Sequence, residues 1–407
     1  MDKDDSEKDV WITGIGLVSS LGEGCEEHWQ KLATGAPMEP VVENAAFAPY
    51  PVHPLVELDF SKQIPGRSDM RQMGTWQKIG TYTAGMALDD AGIAGNEALL
   101  EKANLIVAAG GGERDLEVDT AILEAIGKPE DDEKSRNDIL MNDLRPTHFL
   151  SELSNLLAGN ISIVHGVVGS SRTFMGEEMA GFSAVEIAAK RIRNQQGELF
   201  LVGGAYNAER QDMLLQFDLG RTLWADAYQP LWARQAGGGG MVLGSVSAFL
   251  VLESKKHALA RGAKPYAKLG KILSGRSKRN GNGATQLAKQ QFETLGDDLP
   301  PGPLGCLSGA SGIKDTTRQE LAFIESLKDK GQDVALRGYG SVLGHSVEAQ
   351  FPAGMALAAL AVSKGGFYTP FEASEATCGI STDARPIMIT TWGPFHGEGM
   401  ALVEKAV

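Results

Sequence analysis

A chain of 407 residues is long enough for two domains, or for one large body with two hydrophobic cores. Its formal net charge of −14 argues against nucleic acid and anionic membranes as partners, because phosphate groups are bound by basic surfaces. This charge does not exclude an acidic protein partner, since a protein with a net negative charge can still have a local basic patch on its surface. The basic side chains that cluster in the sequence, which we expect to be solvated, are Lys190, Arg191, Arg193, Arg276, Lys278 and Arg279.

The cysteines and the amino terminus indicate a soluble protein of a reducing compartment. Cys25, Cys306 and Cys378 are far apart and form no CxxC pair, so we expect reduced thiols, no zinc site and a cytoplasmic location. The segment Met1–Asp9 is acidic and polar and has no apolar signal region. No apolar run of 18 residues follows it, and we therefore expect no membrane association.

Short apolar runs that end in glycine-rich turns recur along the chain. They are Val10–Thr13 with Gly14-Ile15-Gly16, Leu105–Ala109 with Gly110-Gly111-Gly112, Leu199–Val202 with Gly203-Gly204, and Ile387–Thr391 with Trp392-Gly393. Each run predicts a buried strand that feeds a loop at the carboxyl edge of a sheet. Between the strands, periodic patterns predict helices over Glu26–Leu32, Trp76–Ala91 and Ala180–Ile192.

The chain consists of two halves with a similar order of elements. A second set of strand and helix units begins near Pro265, and the alanine-rich segment Gly181–Lys190 has a counterpart in Ala353–Lys364. Small residues at this density suit helices that are buried between two sheets. We therefore expect an α/β protein with five layers, α/β/α/β/α, made of two related halves over residues 1–250 and 251–407.

Familiar cofactor motifs are not complete in this sequence. Gly14-Ile15-Gly16 follows a strand, but Ser19 stands where a dinucleotide-binding turn has its third glycine. There is no GxxxxGK[ST], no HExxH and no GxSxG before a helix. We expect no cofactor and no metal.

The stretch Gly169–Gly181 is more specific, because it leads into a small-residue helix and then into Leu199–Val202 with its glycine pair. This layout resembles the β-ketoacyl-acyl-carrier-protein synthases of the thiolase-like superfamily. The other segments that match are Val10–Gly16, His257–Ala263, Gly344-His345-Ser346 and the glycine-rich turn around Phe395. They occur in the same order as in that family over nearly the whole chain.

The resemblance implies a set of catalytic positions, most of which are altered here. In the family, a cysteine at the amino end of the buried helix carries the acyl chain, and two histidines and a lysine support condensation. Counted without a gap from Gly169, the cysteine position falls on Glu178, and the lysine position, expected five residues before the second histidine, falls on Gly340. The turn Ser308–Gly312 contains no histidine, and Ser245 stands at the place of a family glutamate, so His345 is the catalytic residue that remains.

The resemblance also assigns the candidate site residues. Glu178 and His345 are the equivalents of catalytic positions, and Phe395, Ser308 and Ser311 are expected to contact substrate. Glu178 has two interpretations. It is an acidic residue in the first turn of a helix, stabilised there by about 0.3–1 kcal/mol, or a charged mimic of the thiolate that accepts a hydrogen bond from His345.

Three functions follow from the resemblance. The first is a non-condensing, chain-length-factor-like partner of an active synthase in fatty-acid or related acyl-chain biosynthesis. The second is an enzyme with altered chemistry, which decarboxylates malonyl-carrier protein or condenses without a cysteine. The third is a protein that binds acyl groups or acyl carrier protein without catalysis. In each case the expected partners are an acyl carrier protein and a second thiolase-like chain, in a homodimer or a heterodimer.

Overall fold

The computed structural model describes residues 8–33, 39–128, 133–144, 146–279, 281–296, 299, 302–375 and 385–407. Its strands are β1 (Val10–Ser19), β2 (Gly22–Glu23), β3 (Val52–His53), β4 (Asn104–Ala109), β5 (Ser171–Met175), β6 (Leu199–Tyr206), β7 (Leu243–Gly244), β8 (Val246–Ser254), β9 (Ala267–Gly275), β10 (Leu304–Ser308), β11 (Val334–Gly338), β12 (Ile387–Trp392) and β13 (Glu398–Glu404). Its helices are α1 (Cys25–Leu32), α2 (Arg67–Gln72), α3 (Thr75–Asp90), α4 (Glu97–Leu100), α5 (Leu116–Ala125), α6 (Glu133–Asp143), α7 (Pro146–Ser151), α8 (Leu156–His165), α9 (Glu178–Arg193), α10 (Gln211–Leu219), α11 (Lys255–Ala260), α12 (Gly283–Leu295), α13 (Lys314–Asp329), α14 (Gly340–Leu343) and α15 (Gln350–Lys364).

The two halves of the chain repeat one strand order. In the first half the order across the sheet is β5-β4-β6-β8-β1, and in the second it is β11-β10-β12-β13-β9. In both, three parallel strands are followed by an antiparallel pair. The halves meet where β1 and β9 pair over three residues, Val10–Ile12 against Ala267–Leu269. The expectation of two related halves is therefore confirmed.

Helices α9 and α15 lie between the two halves and form the middle layer. Both pack against strands of each half and against one another, and most of their residues are buried. On the outside, α3 and α8 pack against the first half, and α12 and α13 against the second. This arrangement is the predicted thiolase-like α/β/α/β/α fold. The proposed boundary between residues 250 and 251 falls inside β8 and stays a prediction.

Gly14-Ile15-Gly16 is not a turn, which corrects one sequence-based expectation. It lies inside β1, which continues to Ser19, and pairs with β8 throughout apart from an irregularity between Ile12 and Gly14. A Cβ atom at Gly16 would lie 2.0 Å from the carbonyl oxygen of Thr83 on α3. The glycines here allow a helix to approach a strand closely; they do not turn the chain.

Candidate functional site

Glu178 is the first residue of α9, at the point where this helix enters the core. Its side chain is 1% exposed, and its Oε1 lies 2.6 Å from Nε2 of His345, which is equally buried. At this distance the imidazole and the carboxyl group are joined by a short hydrogen bond. The amino end of a helix favours a negative charge at this place. The expected contact between Glu178 and His345 is therefore present.

The backbone of His345 is held by the strand that precedes β8. Its N–H donates to the carbonyl of Val242 at 2.8 Å, and its own carbonyl accepts from the N–H of Gly244 at 3.0 Å. Gly344 has a φ of +75°, which brings the histidine into the core directly after α14. Within the described residues, Nδ1 of His345 and Oε2 of Glu178 have no hydrogen-bond partner. The pair is thus rigidly placed and retains free hydrogen-bonding capacity.

Two further carboxyl groups lie beside this pair. Burial, and then the charge of Glu178, raise the pKa of the Glu177 carboxyl to about 7. Burial, together with the charges of Glu178 and Glu177, raises the pKa of Glu348 to about 8. Sequence reasoning did not identify Glu348 as a site residue. The signal for Glu348 was its position three residues after His345, two residues beyond the segment Gly344-His345-Ser346 that carries the family resemblance.

A loop from Gly393 to Gly397 covers the amino end of α9. A Cβ atom at Gly393 would lie 3.4 Å from Oε2 of Glu178, so the loop backbone borders the carboxylate. The N–H of Gly393 donates to the carbonyl of Gly397 at 3.0 Å, which closes the loop. Phe395 lies within this loop and is 55% exposed, so its role as a substrate-contacting residue stays a prediction.

Arg279 fastens this loop, and the expectation that it is solvated is wrong. Its guanidinium forms an ion pair with Glu398, which is fully buried, and donates to the carbonyls of Gly393 and Gly397. Arg193 also differs from expectation, since it donates to the carbonyl of Leu269 at 2.9 Å. Sequence alone could not show either contact, because both partners lie far along the chain.

The serine candidates are engaged in the core. Ser308, at the end of β10, donates to Oε1 of Glu320 at 2.7 Å, and Ser311 accepts from the N–H of Ile313 at 3.3 Å. Their predicted contact with substrate is therefore not visible and stays a prediction. Gly340, the lysine position, lies against the same turn, since its Cβ would be 3.3 Å from the carbonyl oxygen of Ala310.

The cysteines of the described residues are unsuited to nucleophilic chemistry. Burial raises the pKa of the Cys25 thiol to about 12 and holds that of Cys306 well above its ordinary value. Cys25 begins α1 and Cys306 lies within β10, so neither belongs to the turn that carries Glu178. Both are free thiols, as expected. Cys378 lies outside the described residues.

The described part of the chain has neither a metal-binding cluster nor a membrane-spanning helix. No group of three or more histidine, cysteine, aspartate or glutamate side chains there has an arrangement that could hold a metal ion. None of the helices in that part combines the length and the apolar character needed to cross a bilayer.

Comparison with known proteins identifies the family. Residues 7–258 match the profile of the family described as "Beta-ketoacyl synthase, N-terminal domain". The chain belongs to the beta-ketoacyl synthases. A curated relative is the 3-oxoacyl-[acyl-carrier-protein] synthase 2 of Vibrio harveyi, which is 28% identical over 269 residues. The match covers 65% of this chain and 62% of the Vibrio protein, so it spans less than two thirds of that relative.

Solved structures agree on the fold. The ishigamide ketosynthase/chain length factor superposes with a TM-score of 0.77 at 20% identity, covering 98% of this chain and 99% of that one. A type II polyketide ketosynthase in complex with its acyl-carrier protein superposes with a TM-score of 0.75 at 16% identity, with coverage of 98% and 99%. At these identities the likeness establishes the thiolase-like architecture of this beta-ketoacyl synthase.

Proposed function

We propose that this chain is a non-condensing, chain-length-factor-like beta-ketoacyl synthase, which works as the partner of a cysteine-bearing synthase in fatty-acid or related acyl-chain biosynthesis. The observation that carries the proposal is the buried hydrogen-bonded pair Glu178–His345 at the amino end of α9. A carboxylate does not store an acyl group, because its acyl derivative is a mixed anhydride, which is too labile to wait for a second substrate.

The outer edge of the first half supports a second thiolase-like chain as partner. β5 is the last strand of the described sheet and pairs with β4 on one side. Three apolar side chains near it are strongly exposed: Ile163 at 74%, Val168 at 60% and Met175 at 70%. An unpaired strand edge beside exposed apolar side chains is a template for strand pairing with another chain. We propose that a cysteine-bearing synthase occupies this edge in a heterodimer; a homodimer is the other outcome.

An acyl carrier protein is the further partner in this proposal. Its support is the family membership and a neighbouring structure that holds an acyl-carrier protein. Since the chain carries a net charge of −14, an acidic carrier protein would have to dock on a local cluster of basic side chains.

The chemistry of the pair favours a second candidate, malonyl-carrier-protein decarboxylation. Glu178 and His345 form a buried acid and base, the minimum apparatus for proton transfer. The negative charge of Glu178 opposes binding of a second carboxylate at short range, and we therefore place this candidate after the partner role. Condensation without a cysteine and carrier binding without catalysis have no separate observation in their favour.

The partner role is tested by mixing the chain with a cysteine-bearing synthase from the same organism and measuring the mass of the assembly by light scattering. We expect a one-to-one heterodimer, which Met175→Asp abolishes because the charge would be buried at the strand edge. The matched control is Leu259→Asp, on a leucine of α11 that is 58% exposed. A heterodimer that survives Met175→Asp contradicts the proposed interface. A mixture that never assembles contradicts the partner role.

The second candidate is tested with malonyl-carrier protein and the chain alone. Decarboxylation would release carbon dioxide without a condensed product, and Glu178→Gln would abolish the release. Absence of carbon dioxide release by the wild-type chain eliminates this candidate.

A further inference from the structure

Glu348 lies in a strained turn just before α15. The turn spans Val347–Ala349, and the N–H of Ala349 donates to the carbonyl of Ser346 at 2.8 Å. Val347 has a φ of +43°, in the left-handed region that β-branched residues rarely adopt. Such a conformation persists only where the surroundings impose it. The surroundings of the turn therefore fix the place of the Glu348 carboxyl.

Two glycines of neighbouring elements border Glu348. A Cβ atom at Gly181 of α9 would lie 2.3 Å from the carbonyl oxygen of Glu348. A Cβ atom at Gly110, the residue after β4, would lie 2.4 Å from its Oε1. The backbone of Glu348 therefore abuts α9, and its carboxyl lies at the end of β4. Because both neighbours are glycines, neither offers the carboxyl a side-chain hydrogen bond.

A small cavity lies beside this carboxyl. Its volume is about 20 Å³, which exceeds the roughly 10–15 Å³ that one water molecule needs and is too small for a larger ligand. The polar side chains among its lining residues are those of Glu348, Tyr206, Asn207 and Arg210. The size and the polar lining together fit a single water molecule.

Tyr206 is the lining residue that most needs a ligand in this cavity. It is 5% exposed, and within the described part of the chain its hydroxyl has no hydrogen-bond partner. A buried hydroxyl without a partner is costly, and buried polar groups are generally paired with protein or with ordered water. Burial, and then the charge of Glu348, raise the pKa of the Tyr206 phenol, which therefore keeps its proton and can donate it.

A buried water needs two to four polar partners, and this cavity provides them. The Tyr206 hydroxyl is the first. The second is the Glu348 carboxyl, whose pKa burial raises to about 8, so that at neutral pH it is mostly protonated and can donate or accept. The third is the guanidinium of Arg210, which its ion pair with Asp212 holds in place.

We propose that this cavity is a binding site for one ordered water molecule, which accepts a hydrogen bond from the Tyr206 hydroxyl and joins it to the Glu348 carboxyl. The water links β6, in the first half of the fold, to the turn before α15, in the second half. It also gives a partner to the buried Tyr206 hydroxyl. This assignment holds whether the chain supports condensation, decarboxylates or only binds a partner.

A crystal structure of the wild-type chain, at a resolution that shows ordered water, tests the site directly. We expect one water molecule within hydrogen-bond distance of both the Tyr206 hydroxyl and the Glu348 carboxyl. An empty cavity overturns the proposal. A Tyr206 hydroxyl that is bonded directly to a protein group overturns it as well.

Tyr206→Phe tests the same site in solution, because it removes the hydroxyl and little else. With the water bound, the equilibrium constant for unfolding should rise about fivefold in urea experiments near neutral pH, since the net contribution of one hydrogen bond is lost. In a dry cavity the substitution would remove an unpaired buried hydroxyl, and the constant would fall. A fall, or no change, therefore overturns the proposal. The matched control is Tyr368→Phe, on a buried tyrosine whose hydroxyl donates directly to the carbonyl of Leu357 at 2.8 Å.

Discussion

Replacing Glu348 by glutamine gives a quantitative test of its environment. Glutamine has nearly the same shape and cannot ionise, so Glu348→Gln removes one titration and little else. In the folded chain the pKa of Glu348 is raised from 4.5 to about 8. A raised carboxyl pKa means that the folded state holds the proton more tightly than the unfolded state. Its stabilising contribution is therefore complete below pH 4.5 and is lost as the pH rises through 8.

The magnitude follows from the shift. Each pH unit between the two pKa values changes the free energy of unfolding by about 1.4 kcal/mol, which gives an upper limit of about 5 kcal/mol for the whole range. Between about pH 5.5 and about pH 7.5 the wild-type chain should lose roughly 2 kcal/mol more than Glu348→Gln. Titrating groups that do not act on Glu348 contribute equally to both proteins and cancel in the difference, whereas Glu177, whose charge raises the pKa of Glu348, remains part of the measured difference.

Urea unfolding of both proteins at the two pH values measures this difference directly. The account predicts that the stability curves of wild type and Glu348→Gln diverge as the pH rises, with the wild type falling faster. Parallel curves, within about 0.5 kcal/mol, would refute the buried and neutral state of Glu348. A wild-type chain that gains stability relative to Glu348→Gln on raising the pH would refute the sign of the shift.

Two further substitutions test the loop above Glu178 and the close approach in β1. Arg279→Ala should lower the free energy of unfolding by about 3–5 kcal/mol, because it leaves Glu398 buried without its cation. The control is Arg276→Ala, on an exposed neighbour, which should leave the free energy of unfolding unchanged. Equal effects of the two substitutions in urea unfolding would refute the ion pair between Arg279 and Glu398. Gly16→Ala should cost about 1–3 kcal/mol or more, because its Cβ meets a carbonyl at 2.0 Å. Gly111→Ala has no atom within 4 Å of its Cβ and is the matched control, so similar thermal midpoints for the two variants would contradict the close approach.

The strands, the halves and the Glu178–His345 contact could be predicted because each depends on local patterns or on positions within a family layout. Apolar runs identified β4, β6 and β12, since buried parallel strands are apolar on both faces. The order of motifs then placed Glu178 and His345 at one site, although they are 167 residues apart in the chain.

The rest depended on tertiary contacts that no local pattern records. Arg279 lies in a basic, polar segment that is typical of an exposed loop, and its ion pair requires Glu398, 119 residues away. Gly14 and Gly16 look like turn residues, yet they lie within β1, where their lack of a side chain allows α3 to pack closely against the strand. Glu348 is polar and would be expected at the surface; the space that buries it is made by Gly110 and Gly181 on other elements.

The central claim, that this chain supports condensation without performing it, is tested most directly by product analysis. Malonyl- and acyl-carrier protein are incubated with the chain alone, with a cysteine-bearing synthase alone, and with both, and the 3-oxoacyl products are resolved by mass spectrometry. The account predicts no product from the chain alone and a changed amount or length of product when the two are combined. Condensed product from the chain alone, or an identical product profile with and without it, would contradict the claim.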